Sequence, residues 1–277
     1  MSAAPRLAGV IGWPIGHSRS PALHGHWLRR YGIAGHYVPV AVAPDRLEDS
    51  LRALALLGFR GCNATIPHKE AALALAAEAS ATARRIGAAN TLTFRPDGSV
   101  FADNTDAYGF LANLRQAAPG WRAGAGPALV LGAGGAARAV VAGLIDAGVS
   151  ELRLANRTRA RAEELAAHFG AAVAVVDWAR AEDAAEGVAT IVNTTSLGMA
   201  GQPPLELRLN AAPETALATD LVYQPLVTPF LALAAARGLA TVDGLGMLLH
   251  QAAPGFEAWF GVAPEVDGEL RAAVLAA

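Results

Sequence analysis

A series of polar residues runs through the first hundred or so positions of this chain. Ser18 and Ser20 stand in "GWPIGHSRSPALH", Asn63, Thr65 and Lys69 in "GCNATIPHKEAA", Asn90 in "GAANTL", and Thr105 and Asp106 in "DNTDAYG". Hydroxyls and amides of this kind suit a small polyhydroxylated ligand, and Lys69 with Asp106 would add one charged pair able to move a proton. Lys69 is the only lysine among 22 Lys and Arg residues. An amine can exchange a proton near neutrality where a guanidinium cannot, so one retained lysine beside a carboxylate reads as an acid/base group. A solvated helix-start lysine is the ordinary alternative, and the residues alone leave both open.

The elements that would position these groups alternate between strand and helix. "LAGVIG" reads as a strand ending in glycine, and the helix after it has Ser20 as N-cap and Pro21 in its first turn. "GHYVPVAV" and "RGCNATI" read as strands, "PDRLEDSLRALALLG" as a helix closed by Gly58, and "PHKEAALALAAEAS" as a helix with Pro67 near its start. "ANTLTFRPDGSVFADN" has the pattern of a hairpin around Pro96, Asp97 and Gly98. The polar residues thus gather at strand ends, where α/β sheets hold their ligands. A helix-like "DAYGFLANLRQAAP" then leads into "GWRAGAGP", the best candidate linker, and a second βαβ series begins at "ALVLG". The expected fold class is α/β with two domains, an N-terminal α/β substrate domain and a Rossmann-type one. Periodicity does not assign the helical "GMLLHQAAPGFEAWFG" to either.

The second series carries a nucleotide signature. In "ALVLGAGGAARAVVAGLIDAG", Gly132, Gly134 and Ala137 fit G-x-G-x-x-[G/A], with Ala133, Gly135 and Ala136 completing the turn between a strand and a helix. Glycines there permit a tight turn and close approach of backbone to a pyrophosphate at the helix N-terminus. An NAD protein usually has Asp or Glu about 20 residues further on, for the ribose hydroxyls. Here "LANRTRARAEE" offers Asn156, Arg157 and Thr158, with Arg159 and Arg161 behind them. Cations oppose the dipole at a helix start, and a bound 2′-phosphate would remove that conflict, which favours NADP over NAD.

Composition excludes several classes. A net charge of −2 and a pI near 6.4 provide no basic field for nucleic acid. No apolar run reaches membrane-spanning length, and the N-terminal stretch lacks the pattern of a signal peptide. The lone Cys62 rules out an internal disulfide and a cysteine zinc site, so a cytoplasmic setting is expected. Cys62 reads as a small buried hydrophobe rather than a nucleophile. His17, His24, His26 and His36 do not share a recognised metal-ligand spacing, and no metal is expected.

Over its whole length the chain resembles the shikimate/quinate dehydrogenase family. The segments "GWPIGHSRSPALH", "GCNATIPHK", "GAANTL", "DNTDAYG", "GAGGAARA", "NRT", "NTTSLGM", "DLVYQPLVTPF" and "DGLGMLLHQA" follow in the family's order. Gly25 and Ala64 depart from its usual residues, at positions that carry no assigned role. The resemblance implies NADP-dependent, reversible reduction of 3-dehydroshikimate to shikimate, on the way to chorismate and the aromatic amino acids. It implies Lys69 and Asp106 as the catalytic pair, Ser18 and Ser20 on the substrate carboxylate, and Tyr223 near that end. Asn63, Thr65, Asn90, Thr105 and Gln251 complete the implied substrate set, with Asp106 also on a ring hydroxyl. Along the cofactor it adds Thr194, Thr195, Ser196, Leu221, Gly244 and Met247 to the residues already named. It implies a substrate domain over 1–108 joined by a C-terminal helical segment, 245–277, and an NADP domain over 109–244, in a monomer or homodimer. Two other readings remain at this point: a quinate/shikimate enzyme of broader substrate range or NAD preference, and a catalytically silent NADP sensor.

Overall fold

The computed structural model describes residues 5–277; residues 1–4, part of the stretch read for a signal peptide, lie outside the described residues. The chain divides into two compact units, 1–109 with 248–277, and 110–247.

The first unit contains β1 (Arg6–Gly12), α1 (Ser20–Arg30), β2 (Gly35–Ala41), α2 (Leu47–Leu56), β3 (Phe59–Ala64), α3 (Lys69–Leu75), β4 (Glu78–Ala79), α4 (Ala81–Ile86), β5 (Thr91–Phe94) and β6 (Val100–Asp103). Its sheet runs β2-β1-β3-β5-β6-β4. The sheet is mixed: β1 pairs in parallel with β2 and β3, while β5 is antiparallel to both β3 and β6. The antiparallel pairing puts Asn63 of β3 opposite Thr91 of β5. Ile11, Cys62, Ala64, Leu92 and Ala102 from four of these strands join Leu47, Leu51 and Leu54 of α2 in one apolar core.

Helix α5 (Asp106–Ala117) begins in the first unit and continues into the second. The second unit adds β7 (Ala128–Leu131), α6 (Gly135–Asp146), β8 (Leu152–Ala155), α7 (Arg159–Phe169), β9 (Val173–Val176), β10 (Thr190–Asn193), β11 (Leu217–Asp220), α8 (Pro229–Ala236) and β12 (Ala240–Val242). Its sheet is all parallel, in the order β12-β11-β10-β7-β8-β9, which read from the far edge is the doubly wound Rossmann arrangement. Every residue of β7, β10 and β11 is buried, as expected of strands covered on both faces.

Helix α9 (Leu245–Phe260) and α10 (Gly268–Leu275) end the chain, and from Leu248 onward this segment belongs to the first unit. Trp259 of α9 is 3% exposed, and its indole N–H donates to the Leu92 carbonyl at 3.1 Å. A Cβ on Gly61 would lie 2.8 Å from Trp259 Cδ1 and closer still to its Nε1, so the strand must carry glycine where the helix docks. Burying a ring of that size contributes roughly 1.5–3 kcal/mol or more, which is what holds "GMLLHQAAPGFEAWFG" in place.

Three local expectations change. Ser20 is not the cap of α1 but its first residue; Arg19 precedes it and makes no side-chain cap bond. The alanine-rich helix opened by Pro67 starts at Lys69 and stops at Leu75, because Ala76 turns extended and the chain forms β4 against β6. The stretch "GWRAGAGP" is not the boundary between units: Trp121 packs against the core of the second unit and its indole N–H donates to Thr190 Oγ1 at 2.9 Å.

Candidate active site

In the first unit the polar residues converge at the ends of β3, β5 and β6. Lys69 opens α3 and Asp106 opens α5. A carboxylate suits a helix N-terminus, whereas a cation there opposes the dipole, so Lys69 occupies an unfavourable place unless something opposite it is negative. Asp106 supplies that: Lys69 Nζ donates to Asp106 Oδ2 at 2.5 Å. Their side chains are 14% and 6% exposed, so removing either partner would leave a nearly buried charge unpaired, at a cost of about 3–5 kcal/mol.

The lysine is held by its backbone as well. Its carbonyl accepts from Ala89 N–H at 2.8 Å, and the preceding His68, buried, has its Nε2 2.8 Å from the Val42 carbonyl. On the carboxylate side, Asp106 N–H donates to Asn104 Oδ1, and Asn104 Nδ2 donates to the Ala88 carbonyl.

Asn90 connects the groups. Its Nδ2 faces Asp106 Oδ1 at 2.8 Å, Thr105 Oγ1 at 3.0 Å and Gln251 Oε1 at 3.1 Å. Its Oδ1 accepts from Thr105 N–H at 2.8 Å and from the Thr91 hydroxyl at 2.9 Å. The Thr105 hydroxyl in turn donates to the Gln251 carbonyl at 2.7 Å. Lys69, Asn90, Thr105, Asp106 and Gln251, expected from the sequence, therefore form one hydrogen-bonded cluster. Asn63 lies one step behind it, donating to the Asn90 carbonyl at 3.0 Å and to Thr91 Oγ1 at 3.3 Å.

Ser18 lies in the loop after β1, Ser20 opens α1, and Thr65 directly follows β3. Ser18 Oγ accepts from Ser20 N–H at 3.3 Å, and Thr65 N–H donates to the Ile11 carbonyl. Ser18 and Thr65 are half-buried. Tyr223 lies in the second unit, half-buried on the turn after β11.

Several participants were not legible as site residues. Tyr37 donates its phenol proton to Asn63 Oδ1 at 2.6 Å, and His24 stacks flat on its ring at 3.8 Å. Burial raises the Tyr37 phenol well above its ordinary range, the Cys62 thiol adds to this, and a bond with Ser20 opposes it. Burial alone pushes the Cys62 thiol up to about 12 and the His24 imidazole down to about 3. Cys62 is therefore no thiolate nucleophile, and His24 is a neutral packing ring. Among the described residues, no three His, Cys, Asp or Glu side chains are grouped to hold a metal ion.

The second unit forms a different kind of site, between the ends of β7 and β10 where the strand order reverses. Gly132 follows β7 with φ +110°, and a Cβ on it would lie 2.5 Å from Thr194 Oγ1. The Thr194 hydroxyl donates to the Leu131 carbonyl at 2.7 Å, locking the two strand ends together. Helix α6 starts at Gly135 after Gly134, with no side chain capping its first turn, so backbone N–H groups of Ala133, Gly134, Gly135 and Ala136 are available for a pyrophosphate.

At the end of β8, Asn156 Nδ2 donates to the Thr158 carbonyl. Arg159 is tied to Glu163 at 2.7 Å and to Asp177, whereas Arg157 and Arg161 are exposed and have no ion-pair partner among the described residues. The three arginines thus separate into one structural and two open. Beyond β10, Thr195 Oγ1 donates to Asn193 Oδ1, and Ser196 is exposed. Leu221 N–H donates to the Asn193 carbonyl, Gly244 is buried, and Met247 belongs to the apolar core.

Asp220, which the sequence did not single out, organises this edge: it accepts from Asn193 Nδ2, Val222 N–H and the Thr228 hydroxyl at 2.7–3.0 Å while fully buried. Burial raises its carboxyl above the ordinary value, and the bonds from Thr228, Val222 and Asn193 oppose this.

Three family profiles match the chain: the shikimate dehydrogenase substrate binding domain over residues 10–92, shikimate / quinate 5-dehydrogenase over 122–198, and the shikimate 5′-dehydrogenase C-terminal domain over 244–273. The shikimate dehydrogenase (NADP(+)) of Paracoccus denitrificans is 65% identical over 270 residues, covering 98% of this chain and 96% of the relative. The chain belongs to the shikimate dehydrogenase family. The shikimate 5-dehydrogenase of Thermus thermophilus, solved with NADP(H) and shikimate, superposes on it with TM-score 0.87 at 40% identity, covering 98% and 100% of the two chains. The quinate dehydrogenase of Corynebacterium glutamicum, solved with NAD, gives TM-score 0.90 at 32% identity over 99% and 100%. Shikimate dehydrogenase family membership thus rests on sequence and fold together, across the length of both units.

Proposed function

We propose that this chain catalyses the NADP-dependent, reversible reduction of 3-dehydroshikimate to shikimate, the step toward chorismate and the aromatic amino acids. The observation that carries the chemistry is the Lys69–Asp106 pair at 2.5 Å, set among Asn90, Thr105 and Gln251 in a relative of NADP-dependent shikimate dehydrogenases. The first unit, 1–109 with 248–277, is the substrate domain and 110–247 the cofactor domain.

NADP, when bound, supplies or accepts the hydride. Its pyrophosphate would lie on the N–H groups that open α6, its 2′-phosphate between the open Arg157 and Arg161 with Asn156 and Thr158, and its nicotinamide end near Thr194, Ser196, Leu221, Gly244 and Met247. This chain has no carboxylate at the end of β8 for a 2′-hydroxyl, which supports NADP over NAD. In reduction, the Lys69 ammonium gives its proton to the carbonyl oxygen as the alcohol forms; in oxidation the amine takes it back. Asp106 orients the lysine and accepts from a neighbouring ring hydroxyl. Asn90, Thr65 and Gln251 hold the remaining hydroxyls, with Asn63 and Thr105 supporting them, and Ser18 and Ser20 receive the carboxylate.

Cys62, buried and unpaired, is compatible with a cytoplasmic enzyme, and no helix among the described residues is long and apolar enough to cross a membrane. The test is NADPH absorbance during turnover with shikimate. Shikimate-dependent NADP reduction is expected; tight NADP binding with no turnover would instead make the chain a sensor. Comparing kcat/KM for NADP and NAD, on shikimate and on quinate, fixes its preference within the family.

A further inference from the structure

We propose that Thr91, backed by Asn63 and Tyr37, is a positioning residue that fixes which way the Asn90 amide faces and so holds Asp106 in place for Lys69. This rests on the assignment of Lys69 and Asp106 above.

An amide side chain has a donor end and an acceptor end of nearly the same shape, so its neighbours must decide its orientation. Asn90 must turn Nδ2 toward Asp106 Oδ1, because a flipped amide would aim a carbonyl oxygen at a carboxylate. Two short donors enforce the correct face by pointing at Oδ1, the Thr105 backbone N–H at 2.8 Å and the Thr91 hydroxyl at 2.9 Å, while the Thr105 hydroxyl, 3.2 Å from Oδ1, lies closer to the Gln251 carbonyl at 2.7 Å. The first is fixed by the chain. The second is a rotor with a single proton, which also lies 3.2 Å from the Thr105 hydroxyl.

Asn63 aims that rotor. Its Nδ2 donates to Thr91 Oγ1 at 3.3 Å from the position directly opposite in the β3–β5 register, so that Thr91 accepts from one side and gives its proton to Asn90 on the other. Asn63 is itself an amide in need of orientation, and Tyr37 provides it by donating to Oδ1 at 2.6 Å. The phenol remains a donor because burial keeps it protonated, and the flat stack of His24 on the ring fixes its plane.

The direction of donation is then continuous from Tyr37 through Asn63, Thr91 and Asn90 to Asp106 Oδ1, whose other oxygen receives Lys69. Tyr37, Asn63, Thr91 and Asn90 are between 2% and 7% exposed, so water does not readily replace a missing member. Asn63 has both N–H donors engaged within the protein, which places its contribution in this chain of bonds.

The experiment is steady-state kinetics of the full chain with shikimate and NADP across pH, for Thr91→Val, Thr91→Ser and Tyr37→Phe. Val keeps the branched shape without the hydroxyl, and Ser restores the hydroxyl. In Thr91→Val, kcat is expected to fall about ten- to hundredfold, as for a misaligned reacting group, with a displaced limb in the pH–rate profile and an unchanged KM for NADP. Thr91→Ser should recover most of the loss, and Tyr37→Phe should shift the same limb by less.

A folded Thr91→Val with wild-type kcat and an unmoved pH profile overturns the proposal. So does a loss confined to thermal stability, the mark of a merely structural role. If Thr91→Val does not fold, an unmoved pH profile in Tyr37→Phe overturns it in the same way. Absence of turnover in the unaltered chain removes the functional reading itself, a result distinct from these.

Discussion

The two units build their sites from opposite materials. In the first, side chains bond to side chains: Asn90 alone contacts Thr91, Thr105, Asp106 and Gln251. In the second, a glycine turn and a bare helix start present backbone, and beside the end of β8 stand the two exposed guanidiniums of Arg157 and Arg161. The difference follows from what each must recognise. A proton has to be delivered to one oxygen, which demands an oriented network, while a pyrophosphate is met by any properly spaced row of N–H groups. Substitution in the first site should therefore change chemistry, and substitution in the second should change affinity.

The sharpest way to break that contrast is Lys69→Arg. It preserves the charge and the partner but not proton exchange, so kcat should drop by roughly 10²–10⁴-fold while KM for NADP stays near wild type. Near-normal kcat would mean that the first site works by alignment alone. A smaller effect is expected from Arg157→Gln. Losing a charge-assisted bond worth about 1.5–3 kcal/mol should raise KM for NADP roughly ten- to hundredfold, with kcat and KM for NAD little changed. An equal loss with both cofactors would place Arg157 outside the 2′-phosphate site.

The smallest effect concerns Asp220, the one buried carboxylate on the otherwise backbone-built side. Because burial raises its native carboxyl above the ordinary 3.8, the stability it contributes is fully present below that value and is lost as pH rises through the native one. Asp220→Asn removes the titration, so the stability of wild type relative to the variant, followed by urea unfolding, should decline as pH rises from about 4, the unfolded carboxyl's range. A flat difference would show that the bonds from Asn193, Val222 and Thr228 fully offset burial.

What the sequence made legible was whatever depends on residue type at short spacing. The glycine turn before α6, the hairpin of β5 and β6, and the arginines after β8 can each be seen within a short stretch of chain. The convergence of Lys69, Asn90 and Asp106 was legible because Lys69 and Asp106 follow β3 and β6 and Asn90 directly precedes β5, all at strand ends, where an α/β sheet places its ligand residues. The path through Tyr37 and Thr91 was not, because it is made by cross-strand register: Asn63 meets Thr91 only once β5 runs antiparallel to β3. Alanine content extended α3 past Leu75, but the bond from Ala77 N–H to the Val100 carbonyl draws the chain into a strand instead. The glycines of "GWRAGAGP" resembled a linker, and composition could not reveal that Trp121 docks there.

The single lysine has a practical consequence. Reductive methylation with an isotope-labelled reagent would place a reporter on one side-chain amine in the whole chain, the partly exposed Nζ of Lys69, besides the terminal amino group. Its methyl resonance would follow the charge state of that nitrogen directly as pH, substrate or cofactor is varied. A protein poor in lysine thus offers a spectroscopic window on its own acid/base group, with no competing side-chain signal to subtract.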